Sequence, residues 1–368
     1  MLSGVGRARI KRHDAAVRID AIEVTPYALP LKEPFTISRA SVASTRAVLV
    51  TAELSSSDGR RARGFGEAAL PLGAPETTDD LRQAIARAAE RLVGVELEEL
   101  DFTGASAARS GLHCALADAR ARLRGEPLWS ALGGDAPQAL ITDITLPIAE
   151  PAHLAELAAG YFAEGFRCFK IKVGSDLERD CSMVRALAEF EAALRFDANE
   201  GFTAGQALEL LACARTEGVV VECFEQPCKR DDLAGLKAVR EQGGVPVVAD
   251  ESIRDELDLE RLVAAGAVDG VNLKLVKMGG IDRCMAIGRL AQRHGLRLMV
   301  GAMIESRLGL TAMAHVACAL GGAEWVDLDT AFLLARDPCI GGMQADGARL
   351  TLPAAPGLGI EVTPIESL

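Results

Sequence analysis

At 368 residues, with 49% hydrophobic and 25% charged residues and 36 glycines, the chain has the make-up of a globular protein large enough for one big barrel and a smaller companion. A formal net charge of −12 excludes wrapping a nucleic-acid backbone, which needs clustered Lys and Arg, and 4% aromatic residues leaves little for a base-stacking surface. No run approaches the ~20 apolar residues that cross a bilayer, so neither nucleic acid nor membrane is an expected partner, and small-molecule chemistry is.

The segment Arg7 to Arg18 is basic but is not followed by an apolar stretch and a cleavage site, so it reads as a frayed tail rather than a secretion signal. The nine cysteines are scattered, with no CxxC pair and no histidine at metal spacing, which fits reduced structural thiols in a cytoplasmic protein. Ile22 to Leu29 and Ala47 to Leu54 read as strands separated by a loop, Lys32 to Ser44, and a third short strand ends near Gly66. After the Gly/Pro-rich stretch Leu70 to Pro75, alanine, leucine and arginine recur at helical spacing through Arg124. Residues 18–135 are therefore expected to form an α+β domain.

From Ala139 short apolar runs alternate with helical segments. The runs begin near residues 139, 166, 193, 219, 246, 270, 296 and 325, at intervals of 24 to 29 residues. Eight such units predict a (β/α)8 TIM-type barrel over 136–342, since parallel strands covered on both sides read as continuous Val/Ile/Leu runs. Polar residues cluster at the predicted strand ends, where all of them would converge on one mouth, the face that carries the active site in barrel enzymes. Residues 343–368 form a tail with one strand and a Pro/Gly turn, expected to pack back on the N-terminal domain.

Asp197, Glu225 and Asp250 end three successive strands, 28 and 25 residues apart, so their carboxylates should lie side by side. Three ionised acids in one low-dielectric cavity require a cation, and an all-oxygen ligand set with room for substrate favours Mg²⁺. Lys170 and Lys172 are two apart on a strand and so share a face; Lys274 ends the sixth strand, across an eight-stranded ring from the second. A carbon acid held between Lys172 and Lys274 could lose a proton to one and regain it on its other face from the other, with the metal stabilising the enolate-like charge. Asp327 and Asp329 repeat the two-apart geometry on the eighth strand and suit a cation on the substrate, an α-ammonium above all.

These residues resemble the enolase superfamily, and within it the muconate-cycloisomerase-like subgroup. The similarity rests on Pro34-Phe35, GFGE at 64–67, FKIKVG at 169–174, FDAN at 196–199, FEQP at 224–227, ADES at 249–252 and NLKLVKMGGI at 272–281. It implies an N-terminal domain capping the barrel with mobile specificity loops, Mg²⁺ ligands at Asp197, Glu225 and Asp250, and acid/base lysines at Lys172 and Lys274, with Lys170 on the substrate and Lys277 secondary. GAMIES at 301–306 and DLD at 327–329 look like the dipeptide epimerases. That resemblance implies an isomerase whose Asp327 and Asp329 hold a dipeptide amino terminus, with Met303 and, for an acidic second residue, Arg39 as further substrate contacts.

Other reactions of the subgroup are the nearest alternatives: N-acylamino acid racemisation, o-succinylbenzoate synthesis and muconate cycloisomerisation. Their substrates lack a free ammonium, which the pair Asp327 and Asp329 disfavours. A non-catalytic binding protein of the same fold is the remote alternative, since fold alone does not establish function. A homo-oligomer is compatible with the sequence, but no residue specifies its interface.

Overall fold

The computed structural model describes residues 16–363 apart from 38, 39, 97–101, 136, 138 and 175. Arg39 and most of the basic tail lie outside the described residues. Three antiparallel strands open the chain, β1 (Val17–Ile37), β2 (Ala40–Ser56) and β3 (Arg61–Ala69), in the order β1-β2-β3. Val48, Val50, Ala52 and Leu54, every second residue of β2, are fully buried, as a pleated strand with one face on a core requires. The stretch Lys32 to Ser44, expected to be a loop, is instead mostly extended: β1 and β2 pair from Val17↔Ser56 to Ile37↔Ala40, with a register shift between Pro30 and Phe35. Its small polar residues satisfy their backbone groups across the hairpin, and their lack of alternating apolar side chains hid the strand.

Two helices cover this sheet. The first, α1 (Thr78–Leu92), starts at a capping box in which Thr77 and Asp80 satisfy each other's backbone N–H groups. The second, α2 (Ser106–Arg124), ends at Gly125 in the left-handed conformation, φ 69°.

A two-residue strand, β4 (Leu140–Ile141), precedes the barrel. The barrel strands are β5 (Ile144–Leu146), β6 (Cys168–Lys172), β7 (Ala193–Asp197), β8 (Val221–Glu225), β9 (Val247–Ala249), β10 (Gly270–Leu273), β11 (Arg297–Gly301) and β12 (Ala323–Asp327). They form one parallel sheet in chain order. The backbone N–H of Asp143 to the Val326 carbonyl, 3.1 Å, ties the first strand to the last. Helices follow the strands and pack on their outward faces, where Phe169, Ile171, Phe196, Phe224 and Val271 are fully buried.

The inward face has two characters. Cys223, Val248, Met299 and Trp325 make a separate apolar layer low in the barrel, and the polar strand ends lie above it. The first apolar run, read from residue 139, divides: Leu140 pairs with the tail, and the barrel strand proper starts at Ile144.

The tail also divides. Strand β13 (Cys339–Gly341) pairs with β16 (Ile360–Val362), whereas the hairpin of β14 (Gln344–Asp346) and β15 (Arg349–Thr351) joins β4. Among the described residues, its last part meets the capping helix: Leu358 N–H donates to Asp118 (2.7 Å) and Arg122 pairs with Glu361 (2.6 Å). Among the described residues no helix is long and apolar enough to cross a membrane.

Candidate active site

Register sets the row of chemistry. Lys172 pairs with Asp197, and Asp197 with Glu225, as neighbours on β6, β7 and β8, so the three side chains leave the barrel at one level. Lys274 follows β10, four strands around the eight-stranded ring from β6, and therefore faces Lys172 from the opposite wall. Lys170, Lys172, Lys274, Lys277, Asp250 and Asp327 all line one cavity of about 490 Å³ at this mouth. Phe35 and the stretch from Pro71 to Glu76 close it from the capping side, and Met303 and Ile304 wall it from the loop after β11.

The lysines form short ion pairs with these acids. Lys170 Nζ stands 2.6 Å from Glu225, 2.6 Å from Asp327 and 3.1 Å from Asp197. Lys172 Nζ is 2.6 Å from Asp197, Lys274 Nζ is 3.0 Å from Asp250, and Lys277 Nζ is 2.5 Å from the other Asp250 oxygen. Burial favours neutral acids, but Lys172 and Lys170 outweigh it at Asp197, and Lys274 and Lys277 at Asp250, holding both carboxyls below the usual range. At Glu225 burial and the Asp197 charge prevail, and its pKa rises. Burial also opposes the Lys274 ammonium, yet Asp250 and Glu225 overcome it and keep its pKa above the ordinary lysine value.

Side chains not singled out in the sequence fix this arrangement. Asn272 Nδ2 donates to Glu225 Oε1 at 2.7 Å, and Gln226 Oε1 accepts from the Asp250 backbone N–H at 2.9 Å. Asn199 and Gln226, just beyond the β7 and β8 tips, adopt φ of 44° and 36°, a strained conformation of the kind concentrated at functional sites. Asn272 could have been found, since it lies two residues before Lys274 on the same inward face.

The structure separates the members of the Asp327/Asp329 pair. Asp327 lines the cavity, whereas Asp329 is fully buried beside it, one oxygen accepting the Thr145 backbone N–H at 2.5 Å. Asp143, absent from the sequence reading, completes a trio: one oxygen from each of Asp143, Asp327 and Asp329 lies within 4.8 Å of the others. The two acid clusters differ in what they meet. Lysines stand on the oxygens of Asp197, Glu225 and Asp250, while the second trio shares Lys170 and meets Arg195, 2.9 Å from Asp143.

For a metal, the first cluster has the better chemistry: three carboxylates at adjacent strand ends, all oxygen, of which Asp250 reaches a cavity with room for substrate while Asp197 and Glu225 lie buried beside it. Lys170, Lys172, Lys274 and Lys277 neutralise these carboxylates in the structure, and a hard divalent cation would compete with them for the same oxygens.

Comparison with known proteins agrees with the geometry. Residues 153–366 match the family described as enolase C-terminal domain-like, and residues 19–133 match the N-terminal domain of mandelate racemase / muconate lactonizing enzyme. An L-Ala-D/L-amino acid epimerase of Populus trichocarpa is 36% identical over 90% of this chain and 82% of its own. The substrate-liganded L-Ala-D/L-Glu epimerase of Bacillus subtilis superposes with a TM-score of 0.88 at 32% identity, covering 95% of this chain and 100% of that one. A dipeptide epimerase of Enterococcus faecalis V583, complexed with Mg and the dipeptide L-Leu-L-Tyr, gives 0.85 at 32% identity over 94% and 99%. With both domains matched and relatives above 30% identity over nearly their full length, the chain belongs to the enolase superfamily, in the mandelate racemase and muconate lactonizing enzyme family.

Proposed function

We propose that this protein is a dipeptide epimerase that inverts the α-carbon of the C-terminal residue by 1,1-proton transfer. The observation that carries the reading is the placement of Lys172 and Lys274 on opposite walls of one cavity that also holds Asp327. The dipeptide carboxylate is directed toward Lys170 and the cation that Asp197, Glu225 and Asp250 would hold, and its α-ammonium toward Asp327. The reacting carbon then lies between the two lysines.

Lys172, as the neutral amine, takes the α-proton from one face, and the C–H electron pair moves into the adjacent carboxylate. The Lys274 ammonium gives a proton to the opposite face, and the pair exchanges protonation states on each turnover. In the reverse direction the roles swap. Mg²⁺ held by Asp197, Glu225 and Asp250 would supply the positive charge that stabilises the developing dianion and draws these acids away from the lysines. Lys170 orients the carboxylate, Lys277 and Gln226 hold Asp250, and Asn272 holds Glu225.

Met303, on the cavity wall, and Arg39 are assigned to contacts with the dipeptide. The alternative substrates of the fold carry no ammonium, and Asp327, with the buried acids behind it, would then face a group that does not compensate its charge.

The test is conversion of L,L-dipeptides to their L,D epimers, followed by chiral chromatography with Mg²⁺ present. Conversion should vanish with EDTA and return when Mg²⁺ is restored. Turnover of an N-acylamino acid or a muconate, with every dipeptide inert, would overturn the assignment while leaving the metal site in place.

A further inference from the structure

Beneath Asp327 lies a charge arrangement that the two-lysine chemistry does not use. Asp143 precedes β5 and is fully buried; one of its oxygens takes Arg195 Nη1 at 2.9 Å, and the other, Oδ1, has no hydrogen-bond partner. Asp329 is likewise fully buried, with Oδ2 on the Thr145 backbone N–H and Oδ1 without a partner. Both stand within 4.8 Å of the Asp327 carboxylate, the member of the trio that lines the cavity.

Positive charge is scarce here. Arg195 is shared with Glu222 (2.8 Å) and the Val326 carbonyl (2.8 Å), and Lys170 with Glu225 and Asp197. Two orphaned carboxylate oxygens in a buried site leave an attraction for one more cation, because a lone buried acid is costly and a paired one is not. Burial together with the neighbouring Asp327 charge pushes the Asp143 carboxyl well above its usual range, and the same causes lift Asp329 to about 6. A cation arriving at Asp327 would relieve both.

We infer that Asp143, anchored by Arg195, is a positioning residue for substrate recognition: it adds a third carboxylate behind Asp327 and Asp329 and so makes the site select a free ammonium over a neutral group of the same shape. The inference rests on the dipeptide reading of the cavity and adds to it the origin of discrimination against N-blocked or deaminated substrates. Asp143 touches neither the reacting carbon nor the cavity. It acts through Asp327. Arg195, the middle residue of β7, also binds the Val326 carbonyl at the β5–β12 seam, so it fixes the Asp143 carboxylate against the strand that carries Asp327.

The experiment is calorimetric binding to the Mg²⁺-loaded protein of two unreactive probes. One is L-alanyl-aminoisobutyrate, which has no proton to lose at its second residue; the other is isobutyryl-aminoisobutyrate, in which a methyl replaces the ammonium. Asp143→Asn keeps shape and an oxygen for Arg195 while removing the charge. It should weaken the ammonium probe about tenfold, a typical size for loss of one nearby partly compensated charge, and leave the methyl probe unchanged or tighter.

Equal weakening of both probes would mean a merely structural role, and no change in either would mean no role; each overturns the proposal. Loss of one equivalent of bound Mn²⁺ in the variant would also overturn it, by making the trio a metal site. Because neither probe reacts, these outcomes are read even if the protein epimerises no dipeptide.

Discussion

Glu305 shows how strongly a single buried acid can report on its surroundings. It is fully buried next to Glu67, with Oε1 accepting the Met303 backbone N–H at 2.8 Å. Burial and the Glu67 charge raise it from 4.5 to about 8, and burial raises Glu67 too. Here the folded chain holds its proton more tightly than the unfolded chain. Stability from this group is therefore full below about pH 4.5 and declines as pH rises toward 8. Glu305→Gln cannot ionise and can still accept from Met303. It should melt above the parent at pH 8 but not at pH 5, as thermal denaturation at both values would show; an equal difference at the two pH values would refute the cause.

Between elements, close approach decides. Strand β3 lies so near α2 that a Cβ on Gly66 would stand 2.0 Å from the Gly111 carbonyl oxygen, and one on Gly64 2.2 Å from the Ala119 nitrogen. Neither backbone can yield without moving the other. Gly66→Ala should destabilise by about 3 kcal/mol or more, the range of severe overpacking. Gly160, in the helix Pro151–Ala163, has nothing within 4 Å of such a Cβ and is its control. Gly160→Ala should be neutral or stabilise by about 0.5–1 kcal/mol. Urea titrations of the two variants would separate steric contact from glycine's general flexibility.

The same scale shows what the sequence could and could not convey. Lys170, Lys172 and Asp197 were legible because a period of two forces inward and outward residues to alternate, and an apolar run every 24 to 29 residues implied a ring of strands. Asp143 was not legible. It sits inside a run that looks like one strand, yet that run serves two sheets, Leu140 with β15 and Ile144 with β6. Asp329 looked equivalent to Asp327 by spacing, but the chain turns into a 3-10 helix at Thr330 and withdraws its side chain from the cavity. The strand pairing between Lys32 and Ser44 was missed since polar side chains carry no alternation when both faces tolerate them.

At the scale of the whole molecule, two bodies of different make-up share one function. The capping domain supplies Phe35 from its sheet and residues 71–76 from the connection between β3 and α1, and the barrel supplies every lysine and carboxylate of the proposed chemistry. Arg109 of α2 holds Asp282 at 2.6 Å, and Glu67 of β3 accepts the Ser306 backbone N–H at 3.1 Å, so the cap is pinned to the barrel on the helices after β10 and β11. The loop after β11 thus meets the cap and the cavity together. The opposed lysines are a property of the closed ring rather than of any local segment, since β6 and β10 face each other only when eight strands close.

The most direct test of that opposition is α-proton exchange in D2O, with Mg²⁺ and a dipeptide the parent turns over, in Lys172→Ala and Lys274→Ala. Each variant should lose epimerisation yet retain deuterium uptake from one configuration of the second residue, and the two should retain opposite configurations. Near-parental epimerisation by either variant, or uptake from the same configuration by both, would contradict a two-lysine transfer across the barrel mouth.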